Sequence, residues 1–158
     1  MKLFLMRHAH ADYGPPDPER TLSGRGQECA QQMASFAMER GFFDFEEIWC
    51  SPYERARQTA EPFLNNSKGT LKIHYMDKLV PHGDPADLYK RLKKQESSVL
   101  IVGHNPHLSI LASALIGIDR ERSYLPFKKG ALMVLKREEF TQSGFCLQAY
   151  LTPSSLGL

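Results

Sequence analysis

Three short apolar runs, each closed by a basic or polar residue, constrain the fold of this chain more than any other feature. "KLFLM" ends at Arg7-His8, "IWC" from Ile48 ends at Ser51, and "SSVLIV" ends at Gly103-His104. A short continuous apolar stretch bounded by such residues is the pattern of a strand buried on both faces. Segments with helical spacing separate the runs. This β-α-β alternation predicts an α/β fold, a three-layer sandwich with a mostly parallel central sheet and helices on both faces.

The intervening segments carry their own start and stop signals. After a Pro-rich loop from Tyr13 to Arg20, Ser23 to Arg40 reads as a helix with Cys29, Met33, Phe36 and Ala37 on one face and Gly41 as its stop. Ser51-Pro52-Tyr53-Glu54 has the pattern of a capping box, which predicts a helix to about Leu64. A strand is expected over Leu71 to Tyr75, and Asp84-Pro85 opens an amphipathic helix to about Lys94. Asn105-Pro106 supplies an N-cap and a first-turn proline for a helix to about Ile116. "ALMVLKR" and "FCLQAYL" read as two strands joined by a turn around Gln142 to Gly144. No linker interrupts the 158 residues, so one domain over 1–158 is expected.

Composition excludes several classes of function. The 20 basic and 18 acidic residues are interspersed and leave a net charge of +2, which gives no footprint for nucleic acid. The basic run from Lys90 to Lys94 is expected as a solvated helix face. Three cysteines without CxxC spacing, Cys29, Cys50 and Cys146, argue against a disulfide framework and against a zinc site. The apolar stretch "LFLM" is too short for a secretory signal, and no run approaches the ~18 residues of a membrane span. A cytoplasmic protein without membrane partners is the expectation.

Ligands of open parallel sheets bind in the crevice at the carboxyl ends of the strands. The three runs deliver Arg7 and His8, then Ser51 with Arg55 shortly after it, then His104 to that one edge. Two helix N-termini, at Pro52 and Asn105, would add positive dipole ends there and make Asn105 a phosphate-binding position. Two guanidinium forks suit a multiply charged anion, and phosphate is the natural candidate. Beside two arginines an imidazole is expected to stay neutral and nucleophilic, and a second imidazole can donate to the developing charge. No metal or other cofactor is required. His10 and His107 are expected at the rim, His74 and His82 as structural residues, and Trp49 in the core.

"MRHAHA", "RTLSGRGQECA", "SPYERARQTAE" and "VGHNPHLS" resemble, in order over nearly the whole chain, the histidine phosphatase superfamily with its phosphoglycerate mutase-like fold. The Arg-His-Ala form, the shortness and the closing "YLTPSSL" are similar to the SixA-type phosphohistidine phosphatases. The resemblance implies that His8 is the phosphorylated nucleophile, Arg7 and Arg55 are phosphate ligands, and His104 is the second catalytic histidine. Most members have Arg-His-Gly where this chain has Ala9. Mutase-type members also carry a glutamate acid on an insertion that finds no match here. Asp84 in "VPHGDP" lies in that part of the chain. It is a candidate proton donor, weighed against a simple cap of the helix opening at Pro85. A nitrogen leaving group can be protonated before its bond breaks, so phosphoramidate cleavage needs a dedicated acid less than ester cleavage does.

The expected activity is therefore metal-independent hydrolysis of phosphohistidine on a signalling or phosphotransfer protein, through a phosphohistidine intermediate. A phosphatase for small phosphate esters and a non-catalytic phosphoprotein-binding module are the rivals.

Overall fold

Leu3 and Leu5 point to one side of their strand, Phe4 and Met6 to the other, and all four are fully buried. This strand, β1 (Lys2–Arg7), therefore has a core on each face, as its continuous apolar run predicts. Each such side chain contributes about 1.5–3 kcal/mol by leaving water. The computed structural model describes residues 1–118, 125–139 and 144–158. The other elements are α1 (Gly24–Glu39), β2 (Glu47–Cys50), α2 (Glu54–Asn66), β3 (Lys72–Tyr75), α3 (Pro85–Lys94), β4 (Val99–Gly103), α4 (His107–Leu115), β5 (Leu132–Arg137) and β6 (Phe145–Leu151).

The strands form one sheet in the order β3-β2-β4-β1-β5-β6. β3, β2, β4 and β1 run parallel to one another, whereas β5 and β6 are antiparallel additions on the far side of β1. The sheet is thus mostly parallel, as expected. Helices α1 and α2 cover one face through Met33, Ala37, Ala60 and Phe63. Helices α3 and α4 cover the other through Leu88, Leu92, Leu108 and Leu111. No described helix is long and apolar enough to cross a membrane.

Several local expectations are corrected. On α1 the buried set is Gly26, Ala30, Met33, Ala34 and Ala37, whereas Cys29 and Phe36 are only half-buried. Small residues line this stripe, which lets α1 lie close against α2. Ser51 does not cap α2: the helix begins at Glu54 behind Tyr53, and the Ser51 hydroxyl is engaged elsewhere. Asn105 does not cap α4 either, because that helix begins at His107 behind Pro106 and the amide faces another loop. Asp84 does cap α3, its carboxylate accepting the Ala86 N–H at 2.9 Å. Gly41 ends α1 with φ +74°, the left-handed conformation expected of a helix stop. Trp49 lies in the core, and His74 on β3 reaches Glu47 at 3.3 Å. The turn expected at Gln142 lies outside the described residues.

Candidate active site

The strand register brings the expected residues to one level. Arg7 pairs with Gly103 at the carboxyl ends of β1 and β4. The ladder continues one step further through His8 N–H to the Gly103 carbonyl and Ser51 N–H to the Val102 carbonyl, both at 2.9 Å. His8, Ser51 and His104 therefore leave the sheet together at the edge where helices α2 and α4 begin. The rings of His8 and His104 lie 4.9 Å apart, centroid to centroid.

His8 is held in one tautomer. Its Nδ1–H donates to the Ala9 carbonyl at 2.7 Å, which leaves the Nε2 lone pair available. Burial lowers its pKa to about 3; the Ala9 hydrogen bond opposes this, and Arg55, Arg7 and Lys129 add to it. Ala9 is fully buried, and its N–H donates to Thr59 Oγ1 at 3.1 Å. Thr59 in turn donates to the Arg55 carbonyl at 2.6 Å, tying the residue after His8 to the first turn of α2. Among the described residues, Lys68 is the non-glycine with positive φ, so Ala9 meets no conformational obstacle where glycine is usual.

His104 is 1% exposed, and its Nε2 lies 2.8 Å from Ser51 Oγ. That hydroxyl already accepts the Tyr53 N–H at 3.3 Å. Ser51 is fully buried, and His104 Nε2 is the acceptor its proton reaches among the described residues, so the hydroxyl is assigned as donor and Nδ1 as the protonated nitrogen of the neutral ring. Nδ1 is buried and has no protein partner. Burial, then His8 and Arg55, lower the His104 pKa to about 2.

Both arginines are braced from behind. Arg7 Nη1 donates to the Phe127 carbonyl at 2.7 Å, and the Asn105 amide donates to the same oxygen at 3.1 Å. Asn105 thus meets Arg7's anchor through one of its two amide N–H groups. Arg55 is 4% exposed, and its Nη1 and Nη2 donate to the Asp17 carbonyl at 2.7 Å and the Asp17 carboxylate at 3.1 Å. Arg7 Nε and Arg55 Nε are both buried donors without a protein partner. With His104 Nδ1, three buried N–H groups face no acceptor, an arrangement that costs stability unless an oxyanion fills it.

Gly130 packs against the backbone that carries Arg7 and His8. Its N–H reaches the Arg7 and His8 carbonyls at 3.1 and 3.2 Å, with φ +72°. A Cβ there would stand 2.7 Å from Cys29 Sγ, so the close approach needs glycine. The adjacent Lys129 has a lowered pKa through partial burial and the charges of Arg7, Arg20, Arg25 and Arg55, which places it in the same positive field. His10 is tied to the start of α1 by its ring, 2.8 Å from Ser23 Oγ. His107 is corrected from rim to interior: it is 1% exposed on the nearly all-apolar α4, and neither ring nitrogen has a protein partner. Asp84 is exposed on its helix cap and bears electrostatically on His107. The carboxylate felt at His104 is that of Asp17.

Sequence reasoning missed Asp17, Ser51 as a partner of His104, Thr59 and Lys129. For Thr59 a signal existed, since it lies one helical turn after Arg55. For the others the relevant contacts join segments far apart in the chain.

The neutral histidines make stability depend on acid. Their folded pKa values of about 3 and 2 lie below the ordinary 6.5, so the unfolded chain binds protons first as pH falls. Stability is expected to be full above about pH 6.5 and to be lost on acidification, at about 1.4 kcal/mol per pH unit per histidine. Denaturant unfolding between about pH 7 and 4.5 should show uptake of about two protons, with His107 acting in the same direction. A flat profile would contradict neutral burial.

A family model described as the histidine phosphatase superfamily (branch 1) matches residues 3–80. An uncharacterized protein of Picosynechococcus is 30% identical over 144 residues, 86% of this chain and 85% of that protein. Among solved structures, the protein histidine phosphatase SixA complexed with tungstate has a TM-score of 0.83 at 23% identity, over 99% of both chains. The alpha-ribazole phosphatase from Shigella flexneri has a TM-score of 0.76 at 19% identity, over 97% of both. These two likenesses are likenesses of fold.

Proposed function

Because the chain belongs to the histidine phosphatase superfamily, we propose that it removes phosphoryl groups from phosphohistidine on a signalling or phosphotransfer protein. One observation carries the reading. A neutral imidazole with a free Nε2, His8, stands beside the unpartnered N–H groups of Arg7, Arg55 and His104. A binding module would need the donors but not the nucleophile.

In this reading the substrate's imidazole is first protonated on its other ring nitrogen from solvent; His8 Nε2 then attacks phosphorus as the bond to the leaving nitrogen breaks, and the ring departs as a neutral imidazole. The phosphorylated His8 keeps its Nδ1–H on the Ala9 carbonyl. Water then attacks phosphorus as the P–Nε2 bond breaks; the bond's electron pair returns to Nε2, restoring neutral His8, and phosphate leaves with the water's oxygen and its protons, as dihydrogen phosphate. Arg7, Arg55 and His104 hold the charge on the transferring group throughout, the role a metal plays elsewhere. Among the described residues no group of three His, Cys, Asp or Glu is placed to hold a metal ion. One domain over 1–158 carries the activity, and the free cysteines Cys29, Cys50 and Cys146 fit a reducing cytoplasm.

The test is a substrate panel of phosphohistidine protein, phosphoserine peptide, sugar phosphates and a small phosphoramidate, assayed in a strong chelator. The highest kcat/KM is expected for the phosphohistidine protein. A clear preference for a small ester would transfer the assignment to small-molecule phosphatases, and silence under chelator reversed by a divalent ion would reject the mechanism. Asp84→Asn belongs in the same assay. Asparagine caps as well as aspartate, so kcat on phosphohistidine is expected to stay within a few-fold. A loss on the order of 10² would assign proton donation to Asp84.

A further inference from the structure

We propose that Asp17 is a positioning residue for the reaction: it clamps Arg55 end-on so that the guanidinium's Nε–H edge is presented to phosphate. The inference rests on the reading of Arg55 as a phosphate ligand. Arg55 is buried, and both of its terminal nitrogens are taken by one residue, through the Asp17 main-chain carbonyl at 2.7 Å and its carboxylate at 3.1 Å. Each terminal nitrogen keeps one further N–H, and the third remaining donor, Nε–H, is buried and without a protein partner. A planar fork fixed along its end edge cannot rotate, so the side edge keeps one direction.

Asp17 is itself held. It lies on the short turn Asp17–Glu19, between Pro16 and Pro18, which restrict the backbone. Its second carboxylate oxygen accepts from Arg20 Nη1 at 3.0 Å, and Arg20 Nε is anchored on the Asp12 carbonyl at 2.8 Å. The carboxylate therefore bridges a half-buried guanidinium and a buried one. Two arginine partners make it a poor proton donor, which favours positioning over acid catalysis. The same arrangement gives the Pro-rich loop a role that its composition does not announce.

A double-mutant cycle between Asp17 and Arg55 tests this, with kcat/KM on the best panel substrate and the Kd for inorganic phosphate by calorimetry as parallel readouts. Asp17→Ala keeps the main-chain contact and loses the carboxylate of a half-exposed pair, so a fall of about tenfold in kcat/KM and a several-fold weaker phosphate affinity are expected. Asp17→Asn retains an acceptor oxygen and should recover most of both. In an Arg55→Ala background Asp17→Ala should change neither quantity by more than about twofold. Thermal melting of each variant establishes that it is folded.

Additive losses in the Arg55→Ala background, phosphate affinity unchanged or tighter in Asp17→Ala, or an asparagine variant as impaired as the alanine one would each overturn the proposal. If no panel substrate is hydrolysed, the functional reading fails while the phosphate cycle still decides the role of Asp17.

Discussion

Replacing His8 by alanine is expected to abolish turnover, with kcat reduced on the order of 10⁴-fold or more. Acid-labile labelling of the protein by a phosphorylated substrate should vanish with it, since His8 presents an unprotonated ring nitrogen whose ring is held in place by a backbone carbonyl, a contact no other histidine makes among the described residues. The loss is chemical rather than structural. His8 is a desolvated group held neutral against its ordinary tendency to protonate, so removing it should not lower stability at acid pH and should delete one of the protons taken up on unfolding. Mass spectrometry of the trapped enzyme and a pH series of unfolding curves check the two halves. A variant that still takes the label would place the nucleophile elsewhere.

The second largest effect is expected at His104. His104→Ala should lower kcat by about 10²–10³, the usual cost of one donor to developing transition-state charge. Labelling of His8 should persist, only more slowly. With the Ser51 hydroxyl donating to Nε2, His104 is a neutral ring whose Nδ1–H has no protein partner. Ser51→Ala should therefore give a smaller loss than His104→Ala, by releasing the ring without removing it. Equal losses would mean that Ser51 takes part in the chemistry directly.

Much of this was legible in the sequence for a physical reason. Buried parallel strands must be apolar throughout, so their ends are marked wherever a basic or polar residue interrupts the run, as at Arg7-His8, Ser51 and His104. Local patterns were less reliable at those same ends. Ser51 and Asn105 have the composition of helix caps, yet both side chains are drawn into the site by partners more than fifteen residues away, His104 and the Phe127 carbonyl. A tertiary hydrogen bond there outcompetes the local one. Among the described residues Asp84 has no such partner, and it caps its helix as its neighbours suggest. His107 was misplaced because a polar residue was expected outside, whereas α4 is buried almost all round. Asp17 was invisible for a different reason: a main-chain carbonyl supplies half of its hold on Arg55, and carbonyls leave no trace in a residue pattern.

The position of β1 in the sheet has a bearing on how the protein is made. It is a central strand, yet its partners β4 and β5 follow it in the chain by roughly a hundred residues, with Leu3 opposite Val99 and Lys2 opposite Lys136. During synthesis "LFLM" must therefore wait, unpaired, until those segments have left the ribosome, a period in which an apolar strand is open to wrong partners and to chaperones. No fragment ending before β4 can bring His8 and His104 together. Catalytic competence should thus arrive late and all at once, and a nascent or truncated chain should be recognised by quality control before it could act.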